Sequence, residues 1–166
     1  KKNDVPRVII HDNKWDVCVS HTTENKFIQI SSVNGCVTHE GGSHVDIVVN
    51  PLVKTHTEKL QSKHKDVTIR PQYIKDNLMV IINTEVKNPK FSSQTKEKLI
   101  SKMSDFVSKF YLNDLDLKKI EKLGLADNVL SVAMAKDAKN LTTGQRKKTR
   151  LNNIPKLDDA NKAGGS

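Results

Sequence analysis

Val33-Asn34-Gly35-Cys36-Val37-Thr38-His39-Glu40-Gly41-Gly42-Ser43-His44-Val45-Asp46 is where the chain changes from strand to helix character. Phe27 to Val33, just before it, reads as a strand that Asn34-Gly35 ends. The paired glycines supply a tight turn, and Ser43 is placed to cap a helix. Beyond the turn, Val45, Val48, Val49, Leu52 and Val53 fall on one helical stripe. Pro51 lies inside that helix and predicts a kink or division near Ile47, because its ring leaves that carbonyl without a donor. Upstream, Trp15, Val17 and Val19 alternate with Asp16, Cys18 and Ser20, the pattern of a half-buried strand. Arg7 to His11 is a further strand, and Asp12-Asn13 makes the turn of a hairpin between the two. Downstream, Leu78 to Ile82 is a continuous apolar run without Gly or Pro, expected to be a strand buried on both faces.

The remaining elements read as helices. Leu99, Ile100, Met103, Phe106, Val107 and Phe110 recur at helical spacing and are expected to pack in the core. Asp114 to Leu123, stopped by Gly124, and Ala126 to Leu141 complete the set. Strands, helix, strand, helices is the order of an α+β fold, a single mixed sheet with helices on one face. Residues 1–141 are expected to form the domain, and 142–166 a basic segment and linker. Arg146, Lys147, Lys148 and Arg150 make that segment a second candidate polyanion surface.

Composition narrows the partners. The chain has 166 residues and a net charge of +9, which suits nucleic acid, nucleotide phosphates or an anionic surface. Cys18 and Cys36 sit in apolar strand contexts and read as reduced core residues of an intracellular protein. No apolar run reaches membrane-spanning length, so no membrane partner is expected. The start at Lys1-Lys2 and the end at Gly164-Gly165-Ser166 suggest a piece of a larger protein.

Little of the chain can do chemistry. It has no P-loop, no GxGxxG and no zinc-type Cys/His spacing, and no metal site is expected. His39 and His44 make a poor metal pair without a third ligand, and His44 reads as a structural residue at a helix start. Phe91-Ser92-Ser93-Gln94-Thr95-Lys96-Glu97 is the exception. It follows the Asn88-Pro89 turn and is expected just before an amphipathic helix. A loop held there can push one amide and one ammonium toward a phosphate.

Three segments carry a resemblance. The stretch 33–46 resembles the "VN…T..GG.HVD" segment of type IIA DNA topoisomerases. Asn83 through Glu97, with Asn88-Pro89 and Phe91 ahead of Ser93-Gln94-Thr95-Lys96-Glu97, is similar to that family's "NP.F.SQTKE" segment. Ile154 to Gly165 resembles the "IPKLDDAN.AGG" that leads into the TOPRIM domain of the eukaryotic-type enzyme. "SQTK" in place of the bacterial "GQTK" favours the eukaryotic or large-DNA-virus branch. Pro51 departs from the family's regular helix, and Ser92 stands where an acidic residue is common.

The resemblance implies a transducer domain, a ribosomal-protein-like fold with a left-handed βαβ crossover, leading toward a TOPRIM domain outside the chain. It implies that Lys96, as catalytic residue, and Gln94 reach the γ-phosphate of ATP bound with Mg2+ in a neighbouring GHKL domain, with Thr95 holding the loop. It places Lys63 and Lys65 in a loop that touches the backbone of double-stranded DNA. It further implies a homodimeric parent that hydrolyses ATP to pass DNA strands, with the fragment alone inactive. The location would be the nucleus of a cellular eukaryote, or the host cytoplasm for a large DNA virus. The competing readings are a free-standing basic nucleic-acid-binding module and another GHKL-type ATPase. The first leaves Gln94-Thr95-Lys96 unexplained, and segment 154–165 argues against the second.

Overall fold

The computed structural model describes residues 6–22 and 24–152, with the backbone alone for 139–152. Among the described residues the strands are β1 (Arg7–Asp12), β2 (Trp15–His21), β3 (Ile28–Val33), β4 (Cys36–Val37), β5 (Gly41–Gly42), β6 (Leu78–Thr84) and β7 (Lys98–Leu99). The helices are α1 (Ser43–Lys63), α2 (Pro71–Asp76), α3 (Asp114–Glu121) and α4 (Leu125–Asn152). The main sheet has the order β1-β2-β6-β3-β4, and β5 and β7 form a separate two-stranded pair. The mixed sheet is as expected, with this small parallel pair added to it.

Short-range signals set the hairpins. Asn13, at φ 49, turns β1 back onto β2 with Asp12 opposite Trp15. Asn34 and Gly35, at φ 50 and 78, close the turn from β3 to β4. Both central residues of such a turn need positive φ, which Asn tolerates and Gly adopts freely. The Asn34 side chain then accepts from Val86 N and donates to Val86 O, both at 2.9 Å.

β6 is central, antiparallel to β2 and parallel to β3. It is not buried on both faces. Leu78, Val80, Ile82 and Thr84 are buried, whereas Ile81 and Asn83 are exposed. The helices cover one face only, so an apolar run in the central strand still leaves its alternate residues open. On that open face Ile9, Cys18, Ile81 and Ile30 form one cross-strand row. Cys18 is thus half-buried outside the core, and both cysteines are free thiols. Beside that row His11 bonds Asp16 at 2.7 Å and Ser32 donates to Asn83 at 2.7 Å. The imidazole beside Asp16 holds its carboxyl below the usual value.

The β3-to-β6 crossover runs through α1 and α2. α1 buries Val45, Val48, Val49, Leu52, Val53 and Leu60 together with His44 and His56. It continues unbroken through Pro51, so the expected division does not occur. Pro51 lies on the exposed side while Val48, Val49, Leu52 and Val53 around it are buried, and that packing outweighs one missing hydrogen bond. The N-cap is Gly42, not Ser43; Ser43 is already helical and its buried hydroxyl has no partner.

Segment 97–110 departs furthest from expectation, since no α-helix forms there. Leu99, Phe106 and Phe110 are buried, but Ile100, Met103 and Val107 are exposed. The backbone instead pairs with residues 85–91: Lys87 N donates to Asp105 O at 2.8 Å, and Val86 bridges Phe106. Phe106 stacks on Trp15 at 5.3 Å between ring centroids and Phe110 leans on it at 5.5 Å. Trp15, 1% exposed, donates its Nε1–H to Ser108 O at 2.9 Å. Helix propensity differs by only about 0.7 kcal/mol per residue among ordinary side chains. Burying each large apolar side chain is worth roughly 1.5–3 kcal/mol, so tertiary contacts decide the conformation.

Asn113 caps α3 by accepting from Asp116 N at 2.7 Å. α4 runs across residue 142, the expected domain boundary, without a break in helical backbone. The side chains of Arg146, Lys147, Lys148 and Arg150 and the whole of segment 154–165 lie outside the described residues.

Candidate functional site

Gln94, Thr95 and Lys96 sit at the tip of a β-hairpin rather than ahead of a helix. Phe91 bridges Leu99, and Ser92 N donates to Lys98 O at 3.0 Å. Lys96 N donates to Ser93 O at 3.2 Å, closing the turn over Gln94-Thr95. The hydroxyls of Ser93 and Thr95 lie 2.6 Å apart. Lys96 itself has φ 59, a left-handed backbone that is uncommon for a residue with a Cβ. Residues 92–98 are all exposed. The tip therefore presents an amide and an ammonium to solvent on a hydrogen-bonded frame and makes no enclosed pocket of its own.

The hairpin is mounted on the segment that opens α1. β7 pairs in parallel with β5, Lys98 opposite Gly41 and Leu99 opposite Gly42. Glu40 N donates to Glu97 O at 2.9 Å. Beneath the 38–42 turn lies a polar chain that runs from the surface at Gln29 to buried Ser31, Thr38 and His44. Gln29 Nε2 donates to His39 O at 2.7 Å, and the Ser31 and Thr38 hydroxyls are 2.6 Å apart. His44 Nε2 reaches Thr38 Oγ1 at 3.1 Å. His44 is fully buried, and burial pushes its pKa down to about 4, so it is neutral at pH 7. Its role is structural, as its place at a helix start suggested.

Lys63 and Lys65 are at the other end of α1. Lys63 is its last residue and Lys65 lies in the turn that follows; both are exposed. Gln61 organises this loop, donating to His64 O and Val67 O, both at 3.1 Å, and accepting from Ile69 N at 3.0 Å. Nearby, the Lys59 ammonium meets Glu121 at 2.8 Å and holds that carboxyl below its usual value. Burial lowers the pKa of His56, whose Nδ1–H donates to Leu52 O at 2.9 Å.

The structure thus gathers Gln94, Thr95 and Lys96 at one station and Lys63 and Lys65 at another, separated by α1. Gly42 and Gln61, which hold those stations, carried no signal of that role in the sequence. Each acts through backbone partners that only the fold brings close. Among the described residues no group of three or more His, Cys, Asp or Glu is placed to hold a metal ion.

The DNA gyrase B family model matches residues 2–149, nearly the whole chain. The chain belongs to the DNA gyrase B family. DNA topoisomerase 2 of Pisum sativum is 36% identical over 168 residues, covering 99% of this chain and 11% of the pea protein. The solved ATPase and transducer domains of DNA topoisomerase II from Balamuthia mandrillaris match with a TM-score of 0.77 and 29% identity, over 82% of this chain and 35% of theirs. The ATPase region of Saccharomyces cerevisiae topoisomerase II matches at 0.70 and 32% identity, over 77% of this chain and 32% of that one. The chain therefore spans about a tenth of the length of a curated relative, and its similarity to eukaryotic relatives marks it as a type IIA topoisomerase fragment.

Proposed function

We propose that this chain is the transducer domain of an ATP-dependent type II DNA topoisomerase, and that its hairpin tip completes an ATP site supplied by a neighbouring GHKL domain. The observation that carries this reading is the tip itself: Gln94 and Lys96 exposed together on a hydrogen-bonded hairpin, with Lys96 held at φ 59. A left-handed residue closing a hairpin turn is a common geometry, so what sets this tip apart is the amide and ammonium it exposes together. Lys96 would place its ammonium at the γ-phosphate, Gln94 would hydrogen-bond the same group, and the Ser93–Thr95 contact would stiffen the turn between them. A positioned cation stabilises charge on the transferring phosphoryl group, most strongly where the partner domain excludes water. ATP fits the tip as a phosphate contact alone, and the base, ribose and Mg2+ belong to the neighbouring domain. When the γ-phosphate leaves, the contact is lost and the domain is free to turn, a ligand-held switch.

Lys63 and Lys65 would touch the phosphate backbone of double-stranded DNA and carry no base readout. The wider expectations follow the same reading: a homodimeric parent, a TOPRIM domain in the same chain, and a nuclear location or the host cytoplasm for a viral parent.

In the full-length enzyme, Lys96→Ala should lower ATP turnover by roughly 10²-fold, the scale for removing one charge-stabilising donor. Near-normal turnover would remove Lys96 from the ATP site. Replacing Lys63 and Lys65 by Ala should reduce the slope of log affinity for DNA against log salt by about 2. An unchanged slope would remove that loop from the DNA contact.

A further inference from the structure

The hairpin tip is useful only if it is held at a fixed height, and one of its footholds is a glycine. Gly42 has φ 132 and ψ −160, a region open essentially to glycine alone. A Cβ at Gly42 would stand 2.1 Å from Leu99 O, 2.6 Å from Leu99 N and 2.8 Å from Leu99 C. All three are backbone atoms, so no rotamer change relieves the clash. Ordinary contact begins near 3.4 Å, and the missing distance has to come from movement of β7. β7 follows the tip directly, with Glu97 alone between Lys96 and Lys98. A displaced β7 therefore displaces Lys96.

We propose that Gly42 is a positioning residue for Lys96. The absence of a side chain at the start of α1 lets Leu99 seat against the helix cap, and that seat sets where the ammonium points. The proposal rests on the reading of Lys96 as a γ-phosphate contact. Gly41 supplies an internal control, because it lies in the same turn at φ 69 and its neighbours are different. A Cβ there meets side-chain atoms only, Val45 Cγ2 at 3.2 Å and Gln29 Cδ at 3.4 Å. Gly41→Ala strains the same backbone turn without pushing on β7.

The test compares ATP turnover of the full-length enzyme in Gly42→Ala, Gly41→Ala, Lys96→Ala and the Gly42→Ala/Lys96→Ala double variant. Misplacement of a reacting group by about 1 Å lowers rate by about 10²-fold. Gly42→Ala should therefore lower kcat by roughly that factor with KM for ATP nearly unchanged, while Gly41→Ala stays within a few-fold of the wild type. The double variant should be no slower than Lys96→Ala alone, since groups acting as one unit are not additive. Normal turnover in Lys96→Ala would overturn the underlying reading. A slow Lys96→Ala beside a folded, fast Gly42→Ala would overturn the positioning role alone. So would a double variant slower than Lys96→Ala by the full Gly42→Ala factor, or a raised KM with unchanged kcat. If Gly42→Ala does not fold, one glycine inserted between Lys96 and Glu97 moves the tip and leaves the Gly42–Leu99 seat intact. Exposed hairpin tips tolerate such insertions. Turnover should then fall by a similar factor in a folded enzyme, and wild-type turnover would show that the height of the tip above its seat is immaterial.

Discussion

Acidification should destabilise this domain well above the carboxylate range, through His44. The imidazole is fully buried and bonded to Thr38 Oγ1, and burial lowers its pKa from 6.5 to about 4. The unfolded chain takes up a proton near pH 6.5 that the folded one refuses until about pH 4. Stability is thus whole above the unfolded pKa and is lost as pH falls toward the folded one. The difference of 6.5 and 4 corresponds to about 3 kcal/mol at 1.36 kcal/mol per unit, or roughly 1 kcal/mol per pH unit near pH 5. His56, also lowered chiefly by burial, adds loss in the same direction. Asp16 and Glu121 are lowered from 3.8 and 4.5. Their contributions are present above those values and vanish only at lower pH, so the window between 6.5 and 4.5 reports the histidines. Urea unfolding at about pH 7, 6 and 5 reads the slope directly. His44→Gln keeps a hydrogen-bonding side chain toward Thr38 but does not titrate. It should be less stable at pH 7 and lose about 1 kcal/mol per pH unit of slope. Equal slopes in the two proteins would refute the buried neutral imidazole.

Three further outcomes test the packing. Trp15→Phe keeps an aromatic ring against Phe106 and Phe110 but strands Ser108 O, and should cost about 1–2 kcal/mol in urea unfolding, with no measurable change counting against the anchor. Gln61→Ala removes three backbone bonds at once and should cost about 2–3 kcal/mol, with faster amide exchange across residues 64–69; unchanged exchange would show that the loop holds itself. Lys59→Met breaks a pair whose side chains are 40% and 34% exposed, so the loss should stay below about 1 kcal/mol, and a larger loss would mean that the pair is less screened than its exposure implies.

Local pattern was enough where the partner is near in sequence. Trp15, Val17 and Val19 are buried as their alternation requires, and Asn34-Gly35 makes the turn its residues favour. The α1 stripe was legible for the same reason. The misreadings of segment 97–110 and of β6 share one cause, which is that packing distant in sequence decides them. Leu99, Phe106 and Phe110 have helical spacing, but Trp15 and the 85–91 segment claim them in extended form. Leu78 to Ile82 is apolar on both faces, and no feature of that run shows that one face lies open. That Gln94-Thr95-Lys96 would stand at a loop tip was legible from the Asn88-Pro89 turn and the polar triplet after it, whereas a phosphate-contacting role came only from the family resemblance. Their mounting was not visible, because Leu99 meets Gly42 only once the crossover has formed.

The two stations lie at opposite ends of α1, which with 21 residues spans about 30 Å. In the proposed reading a signal has to travel that length, and the energies decide how. Val45, Val48, Val49, Leu52, Val53 and Leu60 are all buried on α1. At roughly 1.5–3 kcal/mol each they hold the helix on the sheet with about 10 kcal/mol or more. A hydrogen bond between Lys96 and a phosphate contributes only about 1.5–3 kcal/mol. Losing it cannot peel or slide α1 along the sheet. It can release the whole domain, sheet and helix together, to turn about its junction with the neighbouring domain. On that proposal the Lys63/Lys65 loop would move because it is rigidly attached, and the hydrogen bonding around Gln61 would stiffen the far end of the lever.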